Sequence, residues 1–171
     1  VTERKNPKII IESLETIDGN VSLEIIGQTP NLKYLKELNN LISSSKHAES
    51  ITMTPFINSE ELIKKYSSAN LFILPSKSEG LGRVVIEAQA TACPVLVSSD
   101  TGIVDLIIES ETGYIFDNNN QEDLKEKIQN IIENYDVAIQ TGLNSRDFVK
   151  NNQSIENFEF GYRKLFDLAS A

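Results

Sequence analysis

Short apolar segments alternate with amphipathic stretches along most of the chain, and this alternation most constrains the fold. Residues 71–74 are wholly apolar and lie between Asn70 and Pro75, a pattern typical of a strand buried on both faces of a parallel sheet. Three other short segments predict strands: residues 21–26, 50–53 and 95–97. Strands that alternate with helices predict a doubly wound α/β fold, in which ligands bind beyond the carboxyl ends of the strands.

Helical periodicity marks the segments between these strands. Helices are predicted at residues 7–17, 32–42, 59–66, 82–91, 104–109, 122–133, 137–149 and 155–168. Pro7 suits a first turn, and Ser59 is a candidate cap for its helix. Asn118, Asn119 and Asn120 predict a turn before the helix at 122–133. At 171 residues with 40% apolar content, the chain is expected to form one domain, residues 1–171.

Charge and cysteine content exclude several classes of function. The net charge of −9 argues against nucleic-acid binding as the main task, because an acidic domain repels phosphate backbones. One cysteine, Cys93, and one histidine, His47, supply neither a disulfide framework nor a zinc centre with soft ligands. Cys93 is expected to be buried and His47 to lie in a surface loop. The single cysteine fits a reducing compartment, and a cytoplasmic protein is expected. No apolar stretch is long enough to span a membrane, so no transmembrane segment is expected.

The loop after residue 74 carries the residues most suited to chemistry. It places Glu79, Gly80, Gly82 and Arg83 between a buried strand and a helix, and Glu87 lies eight positions after Glu79. The glycines would let the backbone approach a ligand, and the helix N-terminus would attract an anion such as a phosphate. Both carboxylates are expected to face one cleft, with Glu87 deeper because its neighbours in the sequence are apolar. Two alternatives stay open: Glu79 as a first-turn charge and Glu87 as a solvated helix residue.

A longer match extends this motif. The sequence from Leu74 to Ser99, with Glu79 and Glu87 separated by seven residues, resembles the core signature of the family-4 retaining glycosyltransferases. Further stretches are similar to the family in the same order, from Lys5 to Phe116. Among them, residues 23–27 resemble its strand-to-glycine turn at Gly27.

The resemblance implies a GT-B enzyme, built from two Rossmann-like domains with the active site between them. This chain resembles the C-terminal, donor-binding half, so its expected partners are a nucleotide sugar and an N-terminal acceptor-binding domain of the same protein. The family needs no metal or cofactor, and a UDP-sugar is the expected donor ahead of a GDP-sugar. A peripheral association of the full-length protein with a membrane is a further expectation.

The resemblance also assigns roles to individual residues. Glu87 would bind the ribose hydroxyls, while Glu79 and the turn of Gly80, Leu81 and Gly82 would face the sugar and diphosphate. In this mechanism Glu79, the expected catalytic residue, orients the donor and does not attack it. Lys5 resembles the lysine that meets the diphosphate. Arg83 either contacts phosphate or points to solvent, and solvent is the favoured interpretation.

Several positions depart from the family pattern. The family's arginine follows a glycine, and Arg4 does not. The usual Gly-Gly turn is reduced to residues 101–103, which leaves the sugar specificity open. A glycine is replaced near Ala92 and Cys93, and another near Thr54 and Pro55, close to where the family seats the base. The family's domain also opens with a strand, so we expect that strand to be missing or reduced to residues 1–4.

Two other functions are compatible with this architecture. A nucleotide-sugar epimerase would convert a nucleotide sugar without an acceptor. A non-catalytic nucleotide-binding module would bind the ligand, but the function of its parent protein would not depend on Glu79. The length of the glutamate signature favours the transferase, with glycan or polysaccharide biosynthesis as its expected role.

Overall fold

The structure is a computed structural model that describes residues 1–17 and 19–153. The helices in this part of the chain are α1 Pro7–Leu14, α2 Leu32–Ser44, α3 Ser59–Ser68, α4 Arg83–Ala90, α5 Gln121–Glu133 and α6 Tyr135–Asn152. The strands are β1 Leu23–Ile26, β2 Ile51–Thr54, β3 Phe72–Leu74, β4 Val95–Ser98 and β5 Tyr114–Phe116. The helix predicted at 155–168 lies outside the described residues.

All the pairings between these strands are parallel, which confirms the α/β class. β1 pairs with β2, and β3, β4 and β5 form a second sheet in that order. The strands therefore form two parallel sheets, of two and three strands. Parallel strands need covered faces, and the helices that connect them provide this cover.

Helix α1 joins the packing of the two sheets. Its Ile9, Ile10 and Leu14 pack in one core cluster with Leu96 of β4. Its Ile11 is fully buried in another cluster with Ile25 of β1. Because α1 has side chains in both clusters, its position relative to the two sheets is fixed. This also fixes the position of Lys5, which lies just before the helix.

Two local predictions were wrong. Helix α3 is capped by Asn58, not by Ser59. The Asn58 side chain accepts a hydrogen bond from the amide of Glu61, and the Glu61 carboxylate accepts one from the amide of Asn58, which together form a capping box. The helix predicted at residues 104–109 is a 3₁₀ turn at Gly102–Leu106. The turn predicted at residues 118–120 is present and leads into α5, whose N-cap is Asn120: its side chain accepts hydrogen bonds from the amides of Glu122 and Asp123.

The loops that follow the strands determine where a ligand can bind. β1 ends at Gly27, whose φ of 137° is a conformation that favours glycine. The loop after β3 leads into α4, and the loop after β4 leads into the 3₁₀ turn at Gly102–Leu106. A 3₁₀ turn at Glu3–Lys5 precedes α1 and contacts the loop after β3.

Candidate functional site

Residues 74 positions apart in the sequence are in direct contact at the loop after β3. The amide of Lys77 donates to the carbonyl oxygen of Arg4 at 2.8 Å, and Nη1 of Arg4 donates to the carbonyl oxygen of Ser78 at 2.8 Å. Nζ of Lys5 forms an ion pair with the Glu79 carboxylate, and Nη1 of Arg4 lies 3.8 Å from the same carboxylate. The turn before α1 therefore brings two cations to Glu79.

The loop after β4 supports Glu79 from another side. The amide of Gly102 donates to the carbonyl oxygen of Glu79 at 2.9 Å, and Glu79 and Thr101 form an isolated parallel bridge. A Cβ atom on Gly102 would lie 2.4 Å from the carbonyl oxygen of Gly80. Only a residue without a side chain permits this approach, so the two loops depend on Gly102 for their contact.

Helix α4 begins at the end of the same loop. Gly82 caps it in the left-handed region with φ 55°, and a Cβ on Gly82 would meet Ile103 at 3.3 Å. Arg83 and Glu87 are exposed on α4, whereas Val85 and Ala88 are fully buried. The first amides of a helix have no carbonyl partner one turn earlier, so this end of α4 can accept an anion.

These elements enclose an open pocket of about 340 Å³. Its lining residues are Lys5, Glu79, Leu81, Gly82, Arg83, Val84 and Glu87. The volume lies at the lower end of the range for small-molecule sites. Two carboxylates and two cations line it, which suits a ligand that carries both hydroxyl groups and negative charge.

The structure places five of the predicted site residues in this pocket: Lys5, Glu79, Leu81, Gly82 and Glu87. Gly80 is exposed beside it, with its carbonyl against Gly102. Gly27 follows β1 and does not line this pocket; a Cβ on it would meet Val1 at 3.3 Å.

The relative depth of the two glutamates was predicted wrongly. The Glu79 side chain is only 19% exposed, whereas Glu87 is exposed. Although Glu87 has apolar neighbours in the sequence, they lie on other faces of α4: Val85 and Ala88 point to the core. Glu87 forms no hydrogen bond or ion pair with residues 1–17 or 19–153.

Burial in this region shifts the pKa of one neighbouring group. Tyr66 of α3 is 6% exposed and packs edge-on against Phe72 at 5.4 Å between ring centroids. Its burial, with a smaller contribution from the Glu87 carboxylate, raises the pKa of Tyr66 to about 12. Tyr66 therefore stays neutral at physiological pH.

A second polar network reaches the start of α1 and was not predicted. Nδ2 of Asn118 donates to Oδ2 of Asp100 at 3.0 Å, and Nδ2 of Asn6 lies 3.5 Å from Oδ1 of Asn118. Asn118 is 9% exposed, and Asn6 has a left-handed φ of 49°. The network links the ends of β4 and β5 to the residue after Lys5. In the sequence, the asparagine-rich turn at residues 118–120 was the feature that could have indicated this network.

Two other features are absent from the described part of the chain. Within the described part of the chain, no group of three or more His, Cys, Asp or Glu side chains is placed to hold a metal ion. None of the helices described is both long and apolar enough to cross a bilayer.

Comparisons with known proteins show which family the chain resembles. The family model described as "Glycosyl transferases group 1" matches residues 1–152. An uncharacterized glycosyltransferase of Methanocaldococcus jannaschii is 30% identical over 166 residues, which cover 96% of this chain and 45% of that protein. The capsular polysaccharide biosynthesis glycosyltransferase CapM of Staphylococcus aureus is 32% identical over 146 residues, 84% of this chain and 33% of CapM.

A similar fold is found among solved structures. The crystal structure of Anabaena HepE in complex with UDP and glucose superposes with a TM-score of 0.86 at 18% identity, covering 100% of this chain and 46% of HepE. At that identity the likeness concerns the fold. The chain spans less than half the length of these three proteins.

Proposed function

The chain belongs to the glycosyl transferases group 1 family, and we propose that it is the donor-binding half of a two-domain GT-B enzyme. The complete enzyme transfers a sugar from a nucleotide diphosphate sugar to an acceptor with retained configuration, as the family-4 resemblance implies. An N-terminal domain of the same protein supplies the acceptor site. The partial coverage of the relatives is consistent with this division.

One observation carries the proposal: Lys5, Glu79 and Glu87 line the same pocket although they come from three separate elements. Lys5 lies in the turn before α1, Glu79 in the loop after β3, and Glu87 on α4. A structural ion pair would explain Lys5 and Glu79, and a solvated helix residue would explain the exposed Glu87, but neither explains why the three side chains line one pocket. A site for ribose and diphosphate uses all three side chains.

The roles follow from charge and position. Glu87, exposed and without a partner among the described residues, accepts hydrogen bonds from the ribose hydroxyls. Lys5 and the N-terminus of α4 hold the diphosphate and stabilise its charge as it leaves the anomeric carbon. Glu79, Gly80, Leu81 and Gly82 face the sugar. Glu79 orients the sugar while the acceptor oxygen forms the new bond to the anomeric carbon and the bond from that carbon to the diphosphate breaks. The proton of the acceptor hydroxyl passes to the leaving diphosphate oxygen.

The relatives support the wider role. CapM is named for capsular polysaccharide biosynthesis, and HepE was crystallised with UDP and glucose. We therefore propose a UDP-sugar as donor, no metal or other cofactor, and a role in glycan or polysaccharide synthesis. The free, buried Cys93 suits a reducing compartment, and we propose a cytoplasmic protein that is peripheral to the membrane at full length.

The test is a calorimetric titration of the folded chain with UDP, GDP and ADP, beside Glu87→Gln. We expect one nucleotide to bind, and the variant to bind it about tenfold more weakly, since a hydrogen bond to a charged group contributes about 1.5–3 kcal/mol. Glu126→Gln is the charge-matched control, because Glu126 is exposed on α5 away from the pocket. A Glu87→Gln variant that binds like the parent would refute the assignment.

A further inference from the structure

Arg83 is the first residue of α4 and lines the pocket beside Glu87. Its side chain is exposed, and it forms no hydrogen bond or ion pair with the residues that the structure describes. Glu87 lies one turn further along the same helix, a spacing at which opposite charges often pair. In the structure they do not pair: no contact of 4.0 Å or less joins their charged atoms.

Lys5, the other cation that lines the pocket, and Arg4 beside it are already engaged. Lys5 is paired with Glu79, and Arg4 donates to the carbonyl oxygen of Ser78 and lies 3.8 Å from Glu79. An anion that enters the pocket must compete with Glu79 for either of them. Arg83 has no protein group to release first, so a phosphate can bind it without breaking an internal ion pair.

The spacing of Arg83 and Glu87 also fits one class of ligand. Four residues of helix place them about 6 Å apart along the axis. The pocket thus offers a carboxylate for hydroxyl groups and, one turn nearer the helix N-terminus, a planar cation with five N–H donors. A ribose that carries a phosphate chain presents hydroxyl groups and negative charge in the same arrangement.

We propose that Arg83 is a further donor-binding residue, which holds the diphosphate while Glu87 holds the ribose. The proposal rests on the donor-binding function above. It replaces the interpretation of Arg83 as a solvated side chain, which the sequence favoured. Arg83 then contributes more to the affinity for a diphosphate than for a monophosphate, and nothing to the affinity for a nucleoside. Glu87 contributes to the affinity for all three.

This difference can be measured by protein-observed NMR titrations, which reach millimolar dissociation constants. The ligands are a nucleoside, its monophosphate and its diphosphate, in the uridine and guanosine series. The proteins are the parent chain, Arg83→Gln, Arg83→Lys and Glu87→Gln. Lys36→Gln is the control that removes an equal charge, because Lys36 is exposed on α2, outside the pocket.

We expect Arg83→Gln to weaken the diphosphate about five- to tenfold and to leave the nucleoside unchanged. Glu87→Gln should weaken all three ligands, and Arg83→Lys should restore part of the lost affinity, because it keeps the charge without the fork of donors. Unchanged diphosphate binding in Arg83→Gln, or an equal loss for the nucleoside, would overturn the role of Arg83 alone. A parent chain that is folded and binds none of the ligands would overturn the donor-binding function as well.

Discussion

Replacement of Gly102 by alanine tests the contact between the loops after β3 and β4. A Cβ at this position would lie 2.4 Å from the carbonyl oxygen of Gly80, whereas Cβ atoms in proteins keep at least 3.0 Å from such neighbours. Both sides of the contact are backbone, so no flexible side chain can move away. The loops must separate, and the hydrogen bond from the Gly102 amide to the carbonyl oxygen of Glu79 is strained or lost.

The size of the effect follows from these two costs. Overpacking costs about 1–3 kcal/mol, and the loss of one hydrogen bond costs about 1 kcal/mol. We therefore expect the free energy of unfolding of Gly102→Ala to fall by about 2–4 kcal/mol. For a chain of this length, that fall corresponds to a decrease in Tm of roughly 5–15 °C.

Thermal unfolding followed by circular dichroism measures this change. The matched control is Gly80→Ala, at the other side of the same contact, because a Cβ on Gly80 has no heavy atom within 4 Å. It should melt within about 2 °C of the parent. Equal melting temperatures for the parent and Gly102→Ala would show that the two loops do not approach as described, and the support of Glu79 by this loop would then be wrong.

Two further perturbations address the packing around α4. Ala92 has a φ of 62° at the position after α4 where glycine is preferred, so its backbone is strained. Ala92→Gly should therefore raise the free energy of unfolding, measured by chemical denaturation, by about 1 kcal/mol. A free energy of unfolding below that of the parent would show that Ala92 is not strained. Burial raises the pKa of the Cys93 thiol to about 11, above its ordinary value of 9.0, and that of Tyr66 to about 12, above 10.0. The unfolded chain loses these two protons at a lower pH than the folded chain does. The free energy of unfolding, measured by chemical denaturation, should therefore fall as pH rises from about 9 to 12. Cys93→Ala should remove the part of this decrease that occurs between about pH 9 and 11.

The fold was largely predictable because its periodicities are local. The alternation of apolar runs with amphipathic stretches predicted β1 to β4 and helices near all six observed positions. β5 was not predicted as a strand, although Tyr114, Ile115 and Phe116 form an apolar run as long as the one at residues 95–97. The cap of α3 was misassigned because Asn58 and Ser59 are both good caps, and only the geometry with Glu61 distinguishes them.

The residues of the site were easier to predict from the sequence than their arrangement in space. The spacing of Glu79 and Glu87 indicated one pocket, but their relative exposure depends on the face of α4 that each residue occupies. The ion pair of Lys5 with Glu79 crosses 74 residues, and no local pattern encodes such a contact. The same holds for Asn6, Asn118 and Asp100, which three different elements bring together.

Local charge explains how an acidic chain would hold the diphosphate of the proposed donor. The net charge of −9 argues against a long polyanion as partner, because the charge of the whole domain opposes it. Salt screens exposed charges that lie more than about 8 Å away at physiological ionic strength, so a diphosphate responds mainly to the side chains that it touches. In the pocket Lys5 offsets Glu79 and Arg83 offsets Glu87, while Arg4 adds one further positive charge nearby. The ion pair with Lys5 also weakens the repulsion between the partly buried Glu79 carboxylate and the phosphates, which the N-terminus of α4 and Arg83 attract together with Lys5.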